Sequence, residues 1–192
     1  MPIYKKRSFG AAIMVLLIAA GSIIGCFTTL NGMYSDVLDV FEDGADQDDE
    51  CVQEYLIQRA DIGADICKLS RKYLDSSKND TLITALSDAA GDLKIAADAD
   101  DDELQLADLK TKNDALSAAM NDVYSALRST SDIPSQDKLQ YRDLYAEFES
   151  LGDMIRNDPY NTAALEYNNK TSGPLASLTK KITPAHDAVM FS

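Results

Sequence analysis

The sequence predicts an all-α protein, an up-down four-helix bundle preceded by one N-terminal transmembrane helix. Three observations support this fold class. Residues 8–30 form one apolar run without charge, and most of the remaining 192-residue chain repeats apolar residues at alternating steps of three and four. Helix breakers are few, with 9 Gly and 5 Pro. Amphipathic helices with short connections bury their apolar stripes most simply against one another.

The apolar run is long enough for a membrane-spanning helix. Its 23 residues would extend about 35 Å as an α-helix, and a hydrocarbon core is about 30 Å thick. Lys5, Lys6 and Arg7 precede the run, whereas the first acidic residue is Asp36. Cytoplasmic flanks carry the excess of Lys and Arg, so residues 1–7 should form a short cytoplasmic tail and the domain should lie outside the cytoplasm.

Two alternatives to an uncleaved anchor stay open. Residues 19–22 (Ala-Ala-Gly-Ser) could serve as the cleavage site of a secretory signal peptide. Residues 23–26 (Ile-Ile-Gly-Cys) resemble a bacterial lipobox, in which Cys26 would be lipidated and become the mature N-terminus. Phe27 is an awkward residue for that chemistry. The uncleaved helix is the preferred interpretation, and lipidation would also leave the domain on the membrane.

Residues 31–175 are predicted to form the bundle and residues 176–192 a C-terminal tail. A stripe starting at Tyr34 continues into the first bundle helix, so one long helix should leave the bilayer, weakened locally at Gly44 and residues 46–50. Pro159 should interrupt the fourth helix. The predicted core-facing residues are Val52, Tyr55, Arg59, Ile62, Ile66, Leu69 and Tyr73; Leu82, Leu86, Ala89, Ala90, Leu93 and Ala97; Leu106, Leu109, Asn113, Leu116, Met120, Val123 and Leu127; and Tyr141, Leu144, Phe148, Leu151 and Ile155.

The C-terminal segment holds one more short apolar pattern, Leu175, Leu178 and Ile182, before an expected loose tail. Asn79 or Asp80 is expected to cap the second bundle helix, after a turn rich in Asp and Ser.

The charge of the chain restricts its partners. The formal net charge is −14, and all 32 acidic residues follow the apolar run. An acidic domain repels phosphate backbones and anionic headgroups, so we do not expect nucleic-acid binding. A well-solvated surface is the simplest interpretation, and recognition of a basic partner is the alternative.

The cysteines offer no disulfide or metal site. Cys51 and Cys67 are 16 positions apart, which on one helix is about 24 Å, too far for a disulfide. Their spacing also lacks the further ligands of a zinc site. We expect both to be small buried hydrophobic residues.

The residue types that catalysis or cofactor binding requires are largely missing. The single histidine, His186, cannot supply the paired Glu-x-x-His motifs of a di-iron bundle, and no Gly-rich phosphate loop is present. Asp98, Asp100 and Asp102 alternate like the start of an EF-hand loop, but Glu103 and Leu109 occupy the positions that need Gly and Glu. We therefore expect no enzymatic activity, no cofactor and no specific metal site, with weak divalent binding by the acidic cluster left open.

Six residues are candidates for a partner or ligand site. Arg59 falls at a core position of the first bundle helix, with Asp61 close by, and a Tyr-Asn dipeptide repeats after seven residues, at residues 160–161 and 167–168. A polar network inside the bundle is one interpretation, because buried Arg and Asn fix helix register. A ligand or partner site is the other. The candidates are Arg59, Asp61, Tyr160, Asn161, Tyr167 and Asn168.

The same residues carry a resemblance to the LemA family. Its members pair an Arg-Ala-Asp-Leu-Ile stretch in the first long helix with a late Tyr-Asn repeat. The matching residues here are Tyr34, Val52, Leu56, Arg59, Ala60, Asp61, Ile62, Tyr160, Asn161, Tyr167, Asn168, Pro174 and Phe191. The departures are Ser35, Gln58, Gly63, Ala64 and Pro159, so the chain looks like a divergent member.

The resemblance implies a single-pass bacterial membrane protein with a four-helix domain and no enzymatic activity. Some descriptions of the family place the short N-terminus outside, whereas the Lys-Lys-Arg flank here argues that it lies inside. The leading functional prediction is an interaction or scaffold module of the cell envelope, with an envelope protein as its partner.

Two other functions are weighed against the scaffold. An extracytoplasmic ligand-sensing four-helix module would need a partner chain, because residues 175–192 contain Lys180, Lys181 and Asp187 and cannot cross the membrane. An envelope hydrolase would require a cleft that gathers His186 with carboxylates.

Overall fold

The computed structural model describes residues 7–45, 50–99 and 105–191, and α-helix is the only regular secondary structure within them. The prediction of an all-helical chain with one long apolar N-terminal helix is confirmed. Lys5, Lys6, residues 46–49 and residues 100–103 of the acidic cluster lie outside the described residues. The helices are α1 (Arg7–Asp43), α2 (Val52–Tyr73), α3 (Ser76–Ala97), α4 (Leu106–Ser129), α5 (Ser135–Asn157), α6 (Pro159–Lys170) and α7 (Pro174–Ile182).

Helix α1 is long and apolar enough to cross a membrane. Its large apolar side chains from Phe9 to Ile18 are exposed, as is Ile24, and Leu30 is the first buried one. The helix ends at Asp43 because Gly44 follows with a φ of 79°, a left-handed conformation that glycine adopts without strain. The single helix expected to run from Tyr34 into the bundle is therefore wrong: α1 and α2 are separate helices.

Contacts divide the chain into two compact units. The N-terminal unit comprises the described part of residues 1–39 together with residues 163–188, and the central unit comprises residues 40–162 with 189–191. Helices α2, α3, α4 and α5 belong wholly to the central unit, where α2 packs against the other three and α3 packs against α4.

The buried faces match the predicted stripes best where a helix has one packed side. All seven predicted residues of α4 are buried, and so are four of the five on α5, where Leu144 is half-buried. The buried face of α2 differs from the predicted stripe, because this helix contacts three others. Four of the seven predicted residues are buried, whereas Tyr55, Leu69 and Tyr73 are half-buried. The buried residues of α2 that the stripe missed are Leu56, Ala60, Gly63, Cys67 and Ser70.

Two helix starts depend on an aspartate. Asp75 caps α3, since its carboxylate accepts a hydrogen bond of 3.0 Å from the backbone N–H of Ser77, so the expected cap at Asn79 or Asp80 is wrong. Asp158 separates α5 from α6, and Pro159 is the first residue of α6. The predicted interruption at Pro159 is confirmed, and its position follows from the fixed φ of proline.

The segment after α7 is not helical, yet it is not loose. Ala185, Ala188 and Phe191 are buried, and side chains of α6 bind the backbone around them. The expectation of a loose tail is wrong, because sequence periodicity gives no information about such side-chain-to-backbone bonds.

Candidate functional site

Arg59 lies at a junction of three helices in the central unit. Its side chain is only 4% exposed. On α4, its Nη1 donates to Asn113 Oδ1 and its Nη2 donates to Ser117 Oγ at 2.9 Å. On α5, the ring of Phe148 lies 3.9 Å from the guanidinium carbon, a cation–π contact. Gly152, one helical turn further along α5, lies beside the guanidinium, and a Cβ added there would be 3.5 Å from Nη2, an ordinary contact.

The two acceptors on α4 are arranged by the helix itself. Asn113 and Ser117 are four positions apart and therefore lie on one face. The Ser117 hydroxyl donates to the backbone carbonyl of Asn113 at 2.9 Å, which leaves its oxygen lone pairs for Arg59. Asn113 thus occupies a core position of α4 because it faces an arginine.

The guanidinium carries a charge that the protein only partly compensates. Burial lowers the pKa of Arg59 from 12.5 to about 10, so it stays protonated at neutral pH. The nearby carboxylates of Glu149 and Asp114 favour the charged form, and Arg156 disfavours it. None of the ion pairs among residues 7–45, 50–99 and 105–191 includes Arg59, and its buried Nε has no hydrogen-bond partner there.

A cavity of about 310 Å³ opens beside this guanidinium. Arg59, Lys110 and Arg156 contribute positive charge to it, and Asp114 and Glu149 contribute negative charge. Lys110 lies 3.7 Å from Asp114, and Arg156 is paired with Asp153, so Arg59 is the cation of the lining without a carboxylate partner among the described residues. The remaining lining residues are Asn113, Ser117, Asn121, Gly152, Ile155 and Phe191. Such a cavity can hold a small polar molecule that presents a carboxylate to the guanidinium.

Asp61 does not join Arg59. Its carboxylate is exposed and accepts from Lys94 Nζ of α3 at 2.6 Å. Two positions apart on a helix, the two side chains point in different directions. The structure therefore separates this pair of candidates and leaves Asp61 in an exposed ion pair, which contributes little to stability.

The first Tyr-Asn dipeptide holds the last described residues of the chain within the central unit. The Tyr160 ring is fully buried and packs edge-on against Phe41, with 5.3 Å between ring centroids. Its hydroxyl donates to the carbonyl of Val189 at 2.5 Å. Asn161 Oδ1 accepts from the N–H of Phe191 at 2.7 Å, and Asn161 Nδ2 donates to the carbonyl of Ile155 at 2.7 Å.

The second dipeptide does the same within the N-terminal unit. Tyr167 packs edge-on against Tyr34 at 5.7 Å, and its hydroxyl donates to the carbonyl of His186 at 3.0 Å. The Asn168 side chain binds both backbone groups of Ala188, each at 2.8 Å. An asparagine amide that donates to and accepts from one residue imitates a β-ladder pair. Both dipeptides thus bind the extended segment after α7.

Two further candidates stand apart from the Arg59 cavity. Cys26 is a free, half-buried cysteine inside α1. The side chain of His186 is exposed and lines none of the described cavities, so no cleft gathers it with carboxylates among the described residues. Within the same residues, no group of three or more His, Cys, Asp and Glu side chains is placed to hold a metal ion.

The sequence pattern predicts Arg59 as a site residue but not the residues around it. Ser117, Phe148 and Gly152 complete the site, and of these three only Phe148 belongs to a predicted core stripe. One signal was present: Asn113 is the one polar residue in the predicted stripe of α4, as Arg59 is in that of α2. Two polar residues at core positions of different helices indicate a contact between those helices.

No protein-family model, curated protein or solved structure shows significant similarity to this chain.

Proposed function

We propose that this chain is a membrane-anchored, non-enzymatic helical-bundle protein of the bacterial cell envelope, resembling LemA proteins, that works as an interaction or scaffold module. The observation that carries the proposal is α1. Its large apolar side chains from Phe9 to Ile18, and Ile24, are exposed to the surroundings, and the helix continues without a break to Asp43. Exposing such a run to water is very unfavourable, whereas a bilayer solvates it.

The central unit is the interaction module in this proposal. The link between α2 and α3 is Leu74 and Asp75, and residues 130–134 join α4 to α5. Links this short connect antiparallel neighbours, which supports the up-down four-helix bundle of α2 to α5. Its acidic surface favours a partner with a basic surface, since complementary charge speeds association and rejects acidic competitors.

Reporter fusions after residue 192 test the anchor and its orientation. A reporter active only outside the cytoplasm should work, and one active only inside should not, because Lys5, Lys6 and Arg7 hold the N-terminus in the cytoplasm. Substituting all three with Glu should reduce or invert this result, whereas substituting the exposed Lys68 and Lys170 with Glu should not. Recovery of the chain in the soluble fraction after alkaline washing of membranes would contradict anchoring.

The lipidated and scaffold alternatives have their own tests. Metabolic fatty-acid labelling that is lost in Cys26→Ser would show lipidation in place of an uncleaved helix. Crosslinking in intact membranes should return a protein partner whose capture weakens with added salt, as expected for a basic partner. Repeated crosslinking without any protein partner would contradict the scaffold role.

The Arg59 cavity favours ligand sensing as a second candidate function. The ligand would be a small molecule that carries a carboxylate, because the buried guanidinium has no carboxylate partner among the described residues. Transmission of the signal would then require a partner chain, since α1 is the one helix among the described residues that is long and apolar enough to cross a membrane.

Thermal unfolding with added carboxylates tests the sensing function. A ligand that binds only the folded state raises the midpoint as its concentration rises. We expect this shift with at least one of a panel of mono- and dicarboxylic acids and amino acids, and no shift in Gly152→Leu, whose side chain fills the cavity. Gly91→Leu is the matched control on an exposed helix surface and should keep the shift. Equal shifts in all three proteins would exclude this site.

A further inference from the structure

Helix α7 carries an apolar surface that the described chain leaves uncovered. Leu175, Leu178 and Ile182 follow one another at steps of three and four, so they lie on one face of the helix. They are 46%, 49% and 59% exposed. We call these three side chains the α7 ridge. Exposing three large aliphatic side chains together on a nine-residue helix is unfavourable in water, and such a patch indicates an interaction surface.

Positions of α7 beside and behind the ridge are bound to the rest of the N-terminal unit, which fixes the direction of the ridge. Thr179, which borders the ridge four positions after Leu175, is fully buried, and Lys180 lies on the far side of the helix. Lys180 Nζ donates to Thr171 Oγ1 at 2.6 Å and to Asp187 Oδ1 at 2.5 Å. The α7 ridge therefore cannot turn inward without breaking these bonds.

Contacts within the same unit place α7 close to the end of the apolar run of α1. Lys180 Nζ lies 5.1 Å from the ring centroid of Tyr167, and that ring packs against Tyr34 at 5.7 Å. Tyr34 is four positions beyond Leu30, which is about 6 Å along the helix axis. Protein begins to cover α1 between Ile24, which is 65% exposed, and Leu30, which is 3% exposed. The first buried residue of α1 thus lies about one helical turn from the tyrosine whose ring packs against Tyr167, the ring that Lys180 of α7 contacts.

The charge of α7 fits this location. The helix contains no acidic residue, although the chain as a whole has a net charge of −14. Lys181 is exposed and lies beside Leu178 on the helix surface. A short helix with an aliphatic face bordered by lysine is typical of segments that lie in a membrane interface.

We infer that α7 lies in the interface of the membrane that α1 crosses, with the α7 ridge among the upper acyl chains and Lys181 at the phosphates of anionic lipids. This inference rests on the proposed anchoring by α1. Interfacial helices bury their apolar face about 5–10 Å into the boundary between headgroups and acyl chains. The N-terminal unit then has two attachments to the bilayer, which restrains its tilt and its rotation about α1.

Single tryptophans test the inference, because the chain contains no Trp. The full chain is reconstituted into vesicles of anionic and zwitterionic phospholipids, in which the acyl chains carry bromine near the headgroup or near the methyl end. Bromine quenches only tryptophans in contact with it. The α7 variant is Leu178→Trp, the anchor variant is Ile18→Trp, and the control is Ile95→Trp on the exposed surface of α3.

We expect Leu178→Trp to lose fluorescence mainly with bromine near the headgroup, Ile18→Trp mainly with bromine near the methyl end, and Ile95→Trp with neither. Loss in Ile18→Trp but not in Leu178→Trp would overturn the inference and leave the anchoring intact. No loss in either variant would overturn both. A blue-shifted but unquenched Leu178→Trp would show that protein, such as a second copy of this chain, covers the ridge, and would also overturn the inference.

Two further measurements check the result, one with a second ridge variant and one with a different lipid charge. Leu175→Trp samples a second position on the ridge and should repeat the behaviour of Leu178→Trp, so the outcome does not depend on one variant folding. Replacing the anionic lipid by a zwitterionic one should weaken the quenching of both ridge variants but not that of Ile18→Trp, because only α7 meets the headgroup charge. Unchanged quenching would overturn the assignment of Lys181 to anionic phosphates.

Discussion

The guanidinium carbon of Arg59 lies 3.9 Å from the centroid of the Phe148 ring, so a cation and an aromatic face join α2 to α5. The same guanidinium donates to Asn113 and Ser117 on α4. One side chain therefore connects three helices, and its charge can stay buried only while those neutral partners remain in place.

Replacing Asn113 with Ala should lower the free energy of unfolding by about 1–3 kcal/mol, because a buried charged donor loses its acceptor. Urea denaturation followed by circular dichroism measures the change. Asn121→Ala is the matched control on the same helix. Asn121 accepts a hydrogen bond from the Tyr145 hydroxyl at an exposed site, and its loss should cost less than about 0.5 kcal/mol. Equal costs would contradict the role given to Asn113.

Arg59→Met should change the unfolding free energy much less than Asn113→Ala, since an apolar side chain of similar length avoids the desolvation of the charge. In the Arg59→Met background, Asn113→Ala should also become less costly, by a coupling of about 0.5–3 kcal/mol. The double-mutant cycle measures this coupling directly. Additive effects of the two substitutions would show that the hydrogen bond contributes nothing.

Gly63→Ala should destabilise the protein by about 1 kcal/mol, because overpacking outweighs the gain in helix propensity. The added methyl would lie 3.1 Å from Leu116 Cδ1 and 3.2 Å from Ala90 Cβ, and Ala90 can yield only if α3 moves. Gly91→Ala is the control, since nothing lies within 4 Å of its methyl position, and it should stabilise by about 0.5–1 kcal/mol. Thermal melts of both variants measure these changes in stability. A higher midpoint for Gly63→Ala would contradict the close packing at this position.

Asp158→Asn should stabilise the protein at neutral pH. Burial raises the pKa of the Asp158 carboxyl above 3.8, so its charge in the folded state carries a penalty, while an asparagine oxygen can still cap the N–H of Tyr160. The penalty is present above the raised pKa and is gone below the ordinary aspartate value, where the carboxyl is protonated in both states. The advantage of the variant should therefore shrink as the pH falls.

Denaturant melts across an acid pH series check this trend. Asp158→Ala removes the cap as well as the charge, and its loss of the cap should cost about 1 kcal/mol at every pH. If the stabilisation by Asp158→Asn instead increased as the pH fell, the carboxyl would not carry a burial penalty in its charged form, and the argument from burial would be wrong.

Asn168→Ala should speed hydrogen exchange at the N–H of Ala188, because that amide loses its acceptor and the neighbouring carbonyl loses its donor. Two lost hydrogen bonds correspond to about 1–3 kcal/mol of local protection. Asn169→Ala is the matched control, since the Asn169 side chain is exposed. Exchange measured by mass spectrometry or NMR should change only in Asn168→Ala.

Periodicity predicted the elements of this protein better than it predicted their connections. The stripe of α4 was correct throughout because α4 buries one continuous face. The stripe of α2 was correct for only four of its seven residues, since the number of helices that pack against a helix depends on topology and not on its own sequence. The apolar stripe from Tyr34 into α2 predicted one continuous helix. Helix α1 instead ends at Asp43, because Gly44 adopts a left-handed conformation although the apolar spacing continues beyond it.

The sequence could identify individual residues of the candidate site but not the residues that they contact. Arg59 stood out as a charge at a core position, but the partners of that charge are 54 positions and more away in sequence, on helices whose order of packing no local pattern specifies. The Tyr-Asn dipeptides were visible as a repeat. Their partners were not, because Tyr160 and Asn168 bind backbone groups, which every residue carries.

Two buried thiols, Cys51 just before α2 and Cys67 within it, are natural reporters of local opening. Cys51 is 2% exposed and Cys67 is 3% exposed, and burial raises the pKa of the Cys51 thiol, which further reduces its reactive thiolate. An alkylating or oxidising reagent can reach Cys51 only when the start of α2 frays, and Cys67 only when α2 separates from Ile83 of α3. In an oxidising compartment, the rate of damage at each thiol would therefore measure how often that part of the helix opens.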